Sequence, residues 1–307
     1  MHADPDGTAA NLDEAASIFA GVRRRLFGLA YRMLGSKAEA EDVVQEVWLR
    51  WQTYDDRGSV LDPAAFLVTT AVRLAINAVQ SARARRETYI GPWLPEPVDT
   101  RADPELGAVR GEALELAVLF LLEKLSATER AAYVLREAFD YAYAQIADIL
   151  EINEANARQL VTRARTHLAS ERRTPASPSE QRRFLDAFIR AAQAGDRSAL
   201  EALFVADVAN YSDGGGVLGV ARVPVVGRAR VAKFIASFAH KFWIGVSFTW
   251  TEANGRPSIL LSRDGLVFGL VTVEASEQGI EQLMWVMNPV KLEDVGSALV
   301  SPNADPA

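Results

Sequence analysis

Between residues 154 and 169 a helix-period stripe sets Asn156, Arg158, Gln159, Thr162, Arg163 and Arg165 on one side. Ala157, Val161, Ala164 and Leu168 fall on the other. Asn, Gln and Arg carry paired donors and acceptors that match adenine and guanine edges in a major groove, and Arg172 and Arg173 beyond them suit phosphates. A solvated, arginine-rich helix face fits the same pattern. Asp42, Gln45, Glu46 and Leu49 form a second stripe, in which an apolar residue among polar ones suits protein binding as well as the acids suit solvent. Arg73 and Asn77 stand one turn apart and lead into Arg83, Arg85 and Arg86. That run fits a path along a nucleic-acid strand, and equally fits cations complementing a helix C-terminus.

Other chemistries are excluded or poorly served. There is no cysteine, which removes disulfides, thiolate metal sites and cysteine nucleophiles together. The three histidines, His2, His167 and His240, are scattered, and no GxxxxGK[ST] phosphate loop is present, so neither a metal nor another cofactor is expected. Asp213, beside Gly214, Gly215 and Gly216, could serve acid–base chemistry with His240. A lone histidine among Phe238 and Phe242 is more often a packed or surface residue than a base.

The elements that must carry these stripes fall into three blocks. Residues 1–87 are helical: Phe19, Val22, Leu26, Leu29, Ala30 and Met33 recur at helical spacing, as do Ala40, Val43, Val44, Val47, Trp48 and Trp51, and Pro63 opens a third helix. Residues 88–110 form a proline-rich linker. Residues 111–173 are helical again, with the S-x-x-E box of Ser126 and Glu129, a short helix near 142–150, and Asn153 capping the next. Two short helices, a tight connection and a cationic second helix outline a helix-turn-helix. Glu151 stands where that turn usually carries glycine, a strained choice at positive φ. After a short linker at 174–180, residues 181–307 begin with helices and continue as strands, with a hairpin at Asn254-Gly255. Helices first and antiparallel strands after predict an α+β domain whose curved sheet could enclose a pocket.

Charge constrains the partners. The chain carries a net charge of −7, and residues 1–174 hold 21 Lys+Arg against 26 Asp+Glu. A protein that grips DNA alone usually needs a basic domain, so a DNA reader of this composition needs positive charge from elsewhere. No apolar run approaches the roughly 20 residues of a membrane span, and the acidic N-terminus has no secretion-signal pattern. A cytoplasmic protein is expected.

Three strings in order, AEAEDVVQEVWLRW (38–51), AAFLVTTAVRLAINAVQSARARRE (64–87) and LSATERAAYVLREAFDYAYAQIADILEINEANARQLVTRAR (125–165), resemble the extracytoplasmic-function sigma factors of RNA polymerase. The resemblance implies contacts from Asp42, Gln45, Glu46 and Leu49 to the β′ clamp, with the β flap as a further partner. It also implies capture of the opened −10 strand by Asp62, Phe66, Arg73 and Asn77 with Arg83, Arg85 and Arg86. Reading of the −35 element falls to Asn156, Arg158, Gln159, Arg163 and Arg165. A holoenzyme would supply the missing positive charge.

The third block resembles a SnoaL-like domain of the NTF2-like α+β cone. Sigma factors fused to such a domain share Trp93-Leu94-Pro95-Glu96-Pro97, Asp213-Gly214-Gly215-Gly216 and Asn288-Pro289-Val290-Lys291-Leu292; the last usually reads NPDKL, and Val290 departs from it. The resemblance implies a domain that modulates sigma activity in cis by docking on the linker, with Trp93 as its apolar anchor. It implies a non-enzymatic chain that is monomeric before joining polymerase, needs promoter DNA and no dedicated anti-sigma factor, and has no membrane partner. A stand-alone helix-turn-helix regulator with a ligand-sensing domain, and a SnoaL-type enzyme with a helical appendage, are the competing expectations.

Overall fold

The computed structural model describes residues 5–100, 114–171 and 174–297; Arg172 and Arg173 lie outside the described residues. The chain divides into two compact units, one of residues 1–85 with 121–168 and the other of residues 86–120 with 169–307.

The first unit is all helical. Its elements are α1 (Pro5–Leu34), α2 (Lys37–Gln52), α3 (Pro63–Glu87), the last residues of α4 (Leu116–Leu122), α5 (Ala127–Glu137), α6 (Tyr143–Leu150) and α7 (Glu154–Glu171). Ser36 caps α2, and the sequence's inward stripe, Ala40, Val43, Val44, Val47 and Trp51, is buried. Trp51 Nε1 donates to Ala15 O at 3.2 Å, and Phe19 packs on Trp48 at 5.0 Å, fixing α2 against α1. By length and composition α3 could cross a membrane, yet Leu67, Val68, Ala71, Val72, Ala75, Val79 and Ala82 are taken up by the helical core. Ser126 and Glu129 close the expected capping box on α5. Arg130 is buried in α5, and its guanidinium donates to Met33 O at 2.6 Å and to Glu123 at 2.7 Å, tying α5 to the end of α1.

The second unit is a six-stranded sheet with helices. It comprises α8 (Pro178–Ala194), α9 (Arg197–Leu203), β1 (Phe204–Asp213), β2 (Val225–Val226), α10 (Arg228–Phe242), β3 (Val246–Ala253), β4 (Arg256–Arg263), β5 (Leu266–Ser276), β6 (Gly279–Val286) and α11 (Pro289–Ser297). Strand order is β2-β1-β6-β5-β4-β3. Four neighbouring pairs are antiparallel, as expected, but β1 runs parallel to β6. The intervening β3–β5 meander gives the chain the length a parallel return needs.

Because strand side chains alternate, this sheet buries two apolar faces. Ile259, Leu261, Val271, Val273, Leu283 and Trp285 join Phe188 of α8 and Ile235 of α10 in one cluster. Leu260, Leu270, Met284 and Val286 join Leu94, Leu116, Ala117, Leu292 and Val295 in the other. The linker is therefore part of the sheet domain's second core. The side toward α8 and α10 is packed with aromatic rings: Phe242 sits 5.9 Å from both Phe268 and Trp285, and Phe188 meets Trp285 at 5.9 Å.

Candidate functional site

Packing of the helical unit determines which stripes remain outside. On α2, Asp42 and Gln45 are exposed, Glu46 is half-buried and pairs with Arg50 at 2.8 Å, and Leu49 is 47% exposed. On α3, Arg73 and Asn77 are exposed, and Arg73 pairs with Glu151 at 2.7 Å. Asp62 accepts from Ala65 N at 3.0 Å and so caps α3. Phe66 is half-buried, 5.6 Å from Trp51 and 5.1 Å from Tyr54. Of the basic cluster at the end of α3, Arg83 is exposed, Arg85 pairs with Glu39, and Arg86 is half-buried.

The helix-turn-helix forms as the stripe predicted. Ala157, Val161, Ala164 and Leu168 are buried, while Asn156, Arg158, Gln159, Arg163 and Arg165 are exposed. Asn153 accepts from Asn156 N at 2.8 Å, capping α7. Glu151 adopts φ 56°, so the chain makes the left-handed turn without the usual glycine. Each arginine has an internal carboxylate: Arg158 with Glu154, Arg163 with Glu129 at 3.3 Å, and Arg165 with Glu137 at 2.6 Å. The three arginines are exposed, so these ion pairs are of small net worth.

In the second unit the three motifs singled out in the sequence meet at one carboxylate. Asp213, at the end of β1, has no solvent exposure. Its Oδ1 accepts from the Tyr89 hydroxyl and from Gly215 N at 3.2 Å; its Oδ2 accepts from Leu94 N at 2.8 Å and from Lys291 Nζ at 2.6 Å. Lys291 also donates to Leu94 O, and its ammonium lies 4.2 Å from the centre of the Trp93 ring. A second cation, Arg86, lies over the Trp93 ring with its guanidinium 3.5 Å from the ring centre. Asn288 donates to Tyr89 Oη at 2.9 Å and accepts from Val290 N at 3.1 Å, linking the linker tyrosine to the start of α11. Burial pushes the Lys291 pKa below its usual value despite the carboxylate. Burial, then the hydrogen bond to Asp213, raises that of Tyr89.

The glycine run has a steric reason. Gly215 sits at φ +56°, and a Cβ there would stand 2.5 Å from Asn288 Nδ2. Any side chain would push Asn288 off Tyr89. Leu94, Pro95 and Pro97 are buried, whereas Trp93 and Glu96 are half-buried. The apolar anchor is thus Leu94, and the Trp93 ring is within cation–π reach of both Lys291 and Arg86. Leu292 is buried in the second core, Pro289 opens α11, and Val290, in place of the usual carboxylate, is 70% exposed.

Tyr89 is a member of this centre that the sequence reading missed. Its partner Asp213 lies 124 residues away, and no local pattern marks it. His240 is exposed on α10, and Asp213 accepts from four donors of which none is His240. The arrangement holds chain segments together, and the pairing of Asp213 with His240 that the sequence left open is not made. Among the described residues no cluster of metal-ligating side chains occurs.

Comparison with known proteins follows the same division. Two family models match, Sigma-70 region 2 over residues 18–85 and Sigma-70, region 4 over residues 115–168. The ECF RNA polymerase sigma factor SigJ of Mycobacterium tuberculosis is 35% identical over 235 residues, 75% of either chain. The probable ECF RNA polymerase sigma factor SigI of the same species is 29% identical over 295 residues, covering 94% of this chain and 98% of the relative. The crystal structure of the M. tuberculosis SigJ protein matches with a TM-score of 0.72 at 30% identity, covering 91% of this chain and 98% of the other.

Proposed function

Since this chain belongs to the extracytoplasmic-function sigma factors of RNA polymerase, we propose that it divides their work among the surfaces described above and restrains it through its own sheet domain. Sigma factors act with core RNA polymerase at promoter DNA and are in general not enzymes. The acidic face of α2, with Asp42, Gln45, Glu46 and Leu49, seats the chain on the β′ clamp. Arg73, Asn77 and the nearby cations follow the opened −10 strand. On α7, Asn156, Arg158, Gln159, Arg163 and Arg165 read the −35 element in the major groove while the helical domain of residues 111–173 rests on the β flap. Capture of unstacked bases offsets a few kcal/mol of unpairing per flipped base, so no nucleotide hydrolysis is required for melting.

One observation carries the regulatory part. Asp213 gathers donors from Tyr89, Leu94 and Lys291, so the linker and the C-terminal motif are held by a single buried charge pair. A SnoaL-like domain fastened there biases the path of the linker between the two promoter-reading regions. The restraint is built into the chain, which fits a cytoplasmic, monomeric factor working without a dedicated anti-sigma partner.

Two tests separate the parts. Asp42→Lys with Glu46→Lys should abolish co-elution with core polymerase while circular dichroism stays unchanged; undiminished co-elution would remove the clamp assignment. Deleting the chain from Asn288 onward should change promoter-dependent transcription. Identical transcription and promoter occupancy would remove the regulatory assignment.

A further inference from the structure

The tip of the β3–β4 hairpin is an Asn-Gly turn, with φ 55° at Asn254 and 73° at Gly255. Such tips ordinarily face water, where the polar asparagine side chain and the turn's free backbone groups are solvated. Here Asn254 has no solvent exposure. Its Oδ1 accepts from Val98 N at 3.0 Å, its Nδ2 donates to Leu114 O at 2.9 Å, and its own N–H donates to Val98 O at 2.9 Å. Gly255 N donates to Thr100 Oγ1 at 3.1 Å, and Thr100 in turn donates to Glu252 at 2.5 Å. Arg256 pairs with Glu115 at 2.5 Å, the two side chains being only 12% and 6% exposed. Asp99 also pairs in a short bridge with Ala253.

The groups that meet the hairpin residues Glu252, Ala253, Asn254, Gly255 and Arg256 in these contacts, Val98, Asp99, Thr100, Leu114 and Glu115, all lie in the linker or at the entry to α4. A side chain needed only to make the turn would not require them, since the turn is defined by backbone angles. From this we infer that the β3–β4 hairpin is a second clasp on the linker, independent of the Asp213 centre, with Asn254 as its positioning residue. It grips the chain at residues 98–100 and again at 114–115, one residue before α4 begins. The Asp213 centre fastens the end of the linker that leaves α3; the hairpin fastens the end that enters the region 4 helices. Releasing the hairpin frees the chain segment that leads into α4 while the Asp213 centre remains closed. This inference rests on the proposal that the sheet domain modulates sigma activity in cis.

The test uses the full chain with core polymerase. Asn254→Gly deletes the side-chain hydrogen bonds yet keeps the turn, because glycine adopts positive φ without strain. Glu115→Gln breaks the grip from the linker side and leaves the hairpin untouched. In both variants, hydrogen exchange at the Val98 amide or the Leu114–Leu116 segment should accelerate by roughly tenfold, the scale set by one or two lost buried hydrogen bonds, while amides of β5 and β6 keep their protection. Promoter-dependent transcription should shift in the same direction as in the chain truncated at Asn288. Accelerated exchange with wild-type transcription, alongside a truncation that does change transcription, would overturn the clasp's regulatory role and leave the broader proposal standing. Unchanged exchange in both variants would overturn the clasp itself. If the truncation also transcribes like wild type, the proposal and this inference fall together.

Discussion

Replacing Asp213 by Asn removes one charge and almost no volume, so its effect isolates the electrostatics of the linker centre. The carboxylate faces only donors: the Tyr89 hydroxyl, Leu94 N, Gly215 N and Lys291 Nζ. An amide nitrogen in either oxygen's place meets donors with another donor. Lys291, nine-tenths buried, then stands without its counterion. Breaking a buried pair from one side costs about 3–5 kcal/mol. The lysine has one escape, loss of its proton, and for a group of ordinary pKa 10.5 that costs about 5 kcal/mol at pH 7, so both routes lead to the same range. Asp213→Asn should therefore lower the stability of the linker–sheet unit by about 3–5 kcal/mol, and Asp213→Asn with Lys291→Met should recover at least about 2 kcal/mol of it. Two units need not unfold together, so hydrogen exchange at the Leu94 amide, read in the full chain, is the cleaner assay beside denaturant titration. A loss below about 1 kcal/mol, or a double variant no better than the single one, would refute the reasoning.

Three further outcomes are expected. Arg163→Ala should weaken binding of the holoenzyme to the upstream promoter element by about 1–3 kcal/mol and relax selectivity at one base pair; an equal loss on every DNA sequence, measured by competition binding, would make it a phosphate contact. Glu151→Gly should stabilise the helical unit by about 0.5–1 kcal/mol in thermal unfolding, because glycine relieves the left-handed conformation and the lost ion pair to Arg73 is exposed; a fall in Tm would show that this pair matters more than the strain. For pH, the Tyr89 phenol has its folded pKa raised above 10.0, so its contribution is complete below pH 10 and is lost as pH rises through the raised value. Lys291 acts oppositely, since its lowered folded pKa makes stability rise with pH in the window below 10.5. Tyr89→Phe should reduce the alkaline decline expected of the wild type in denaturant titrations, the remainder coming from Tyr141, whose phenol pKa burial also raises; an unaltered decline would remove Tyr89 from the account.

Local signals carried most of the helical half. The Ser126–Glu129 box, the Asn153 cap and the α7 stripe all act within a turn or two, and each formed as its spacing predicts. The Asn254-Gly255 turn was equally legible as a turn, but its partners at Val98 and Leu114 lie 156 and 140 residues away and leave no periodic trace. Strand β1 carries little periodic signal for a related reason. Its buried positions include the polar Asn210, Ser212 and Asp213, which break the apolar alternation and are satisfied only in three dimensions, Asn210 by Trp285 Nε1 at 2.8 Å and Asp213 by Lys291. The motif residues Trp93, Asp213 and Lys291 were identifiable by resemblance. Their chemistry was not, since Leu94 holds the apolar position expected of Trp93.

Promoter-dependent run-off transcription with purified core polymerase tests the central claim most directly. With this chain added, the enzyme should initiate at a defined promoter, and the Asp42→Lys, Glu46→Lys variant should leave only the background of core polymerase alone. A chain that leaves core polymerase at background, yet protects duplex DNA unaided, would contradict the account.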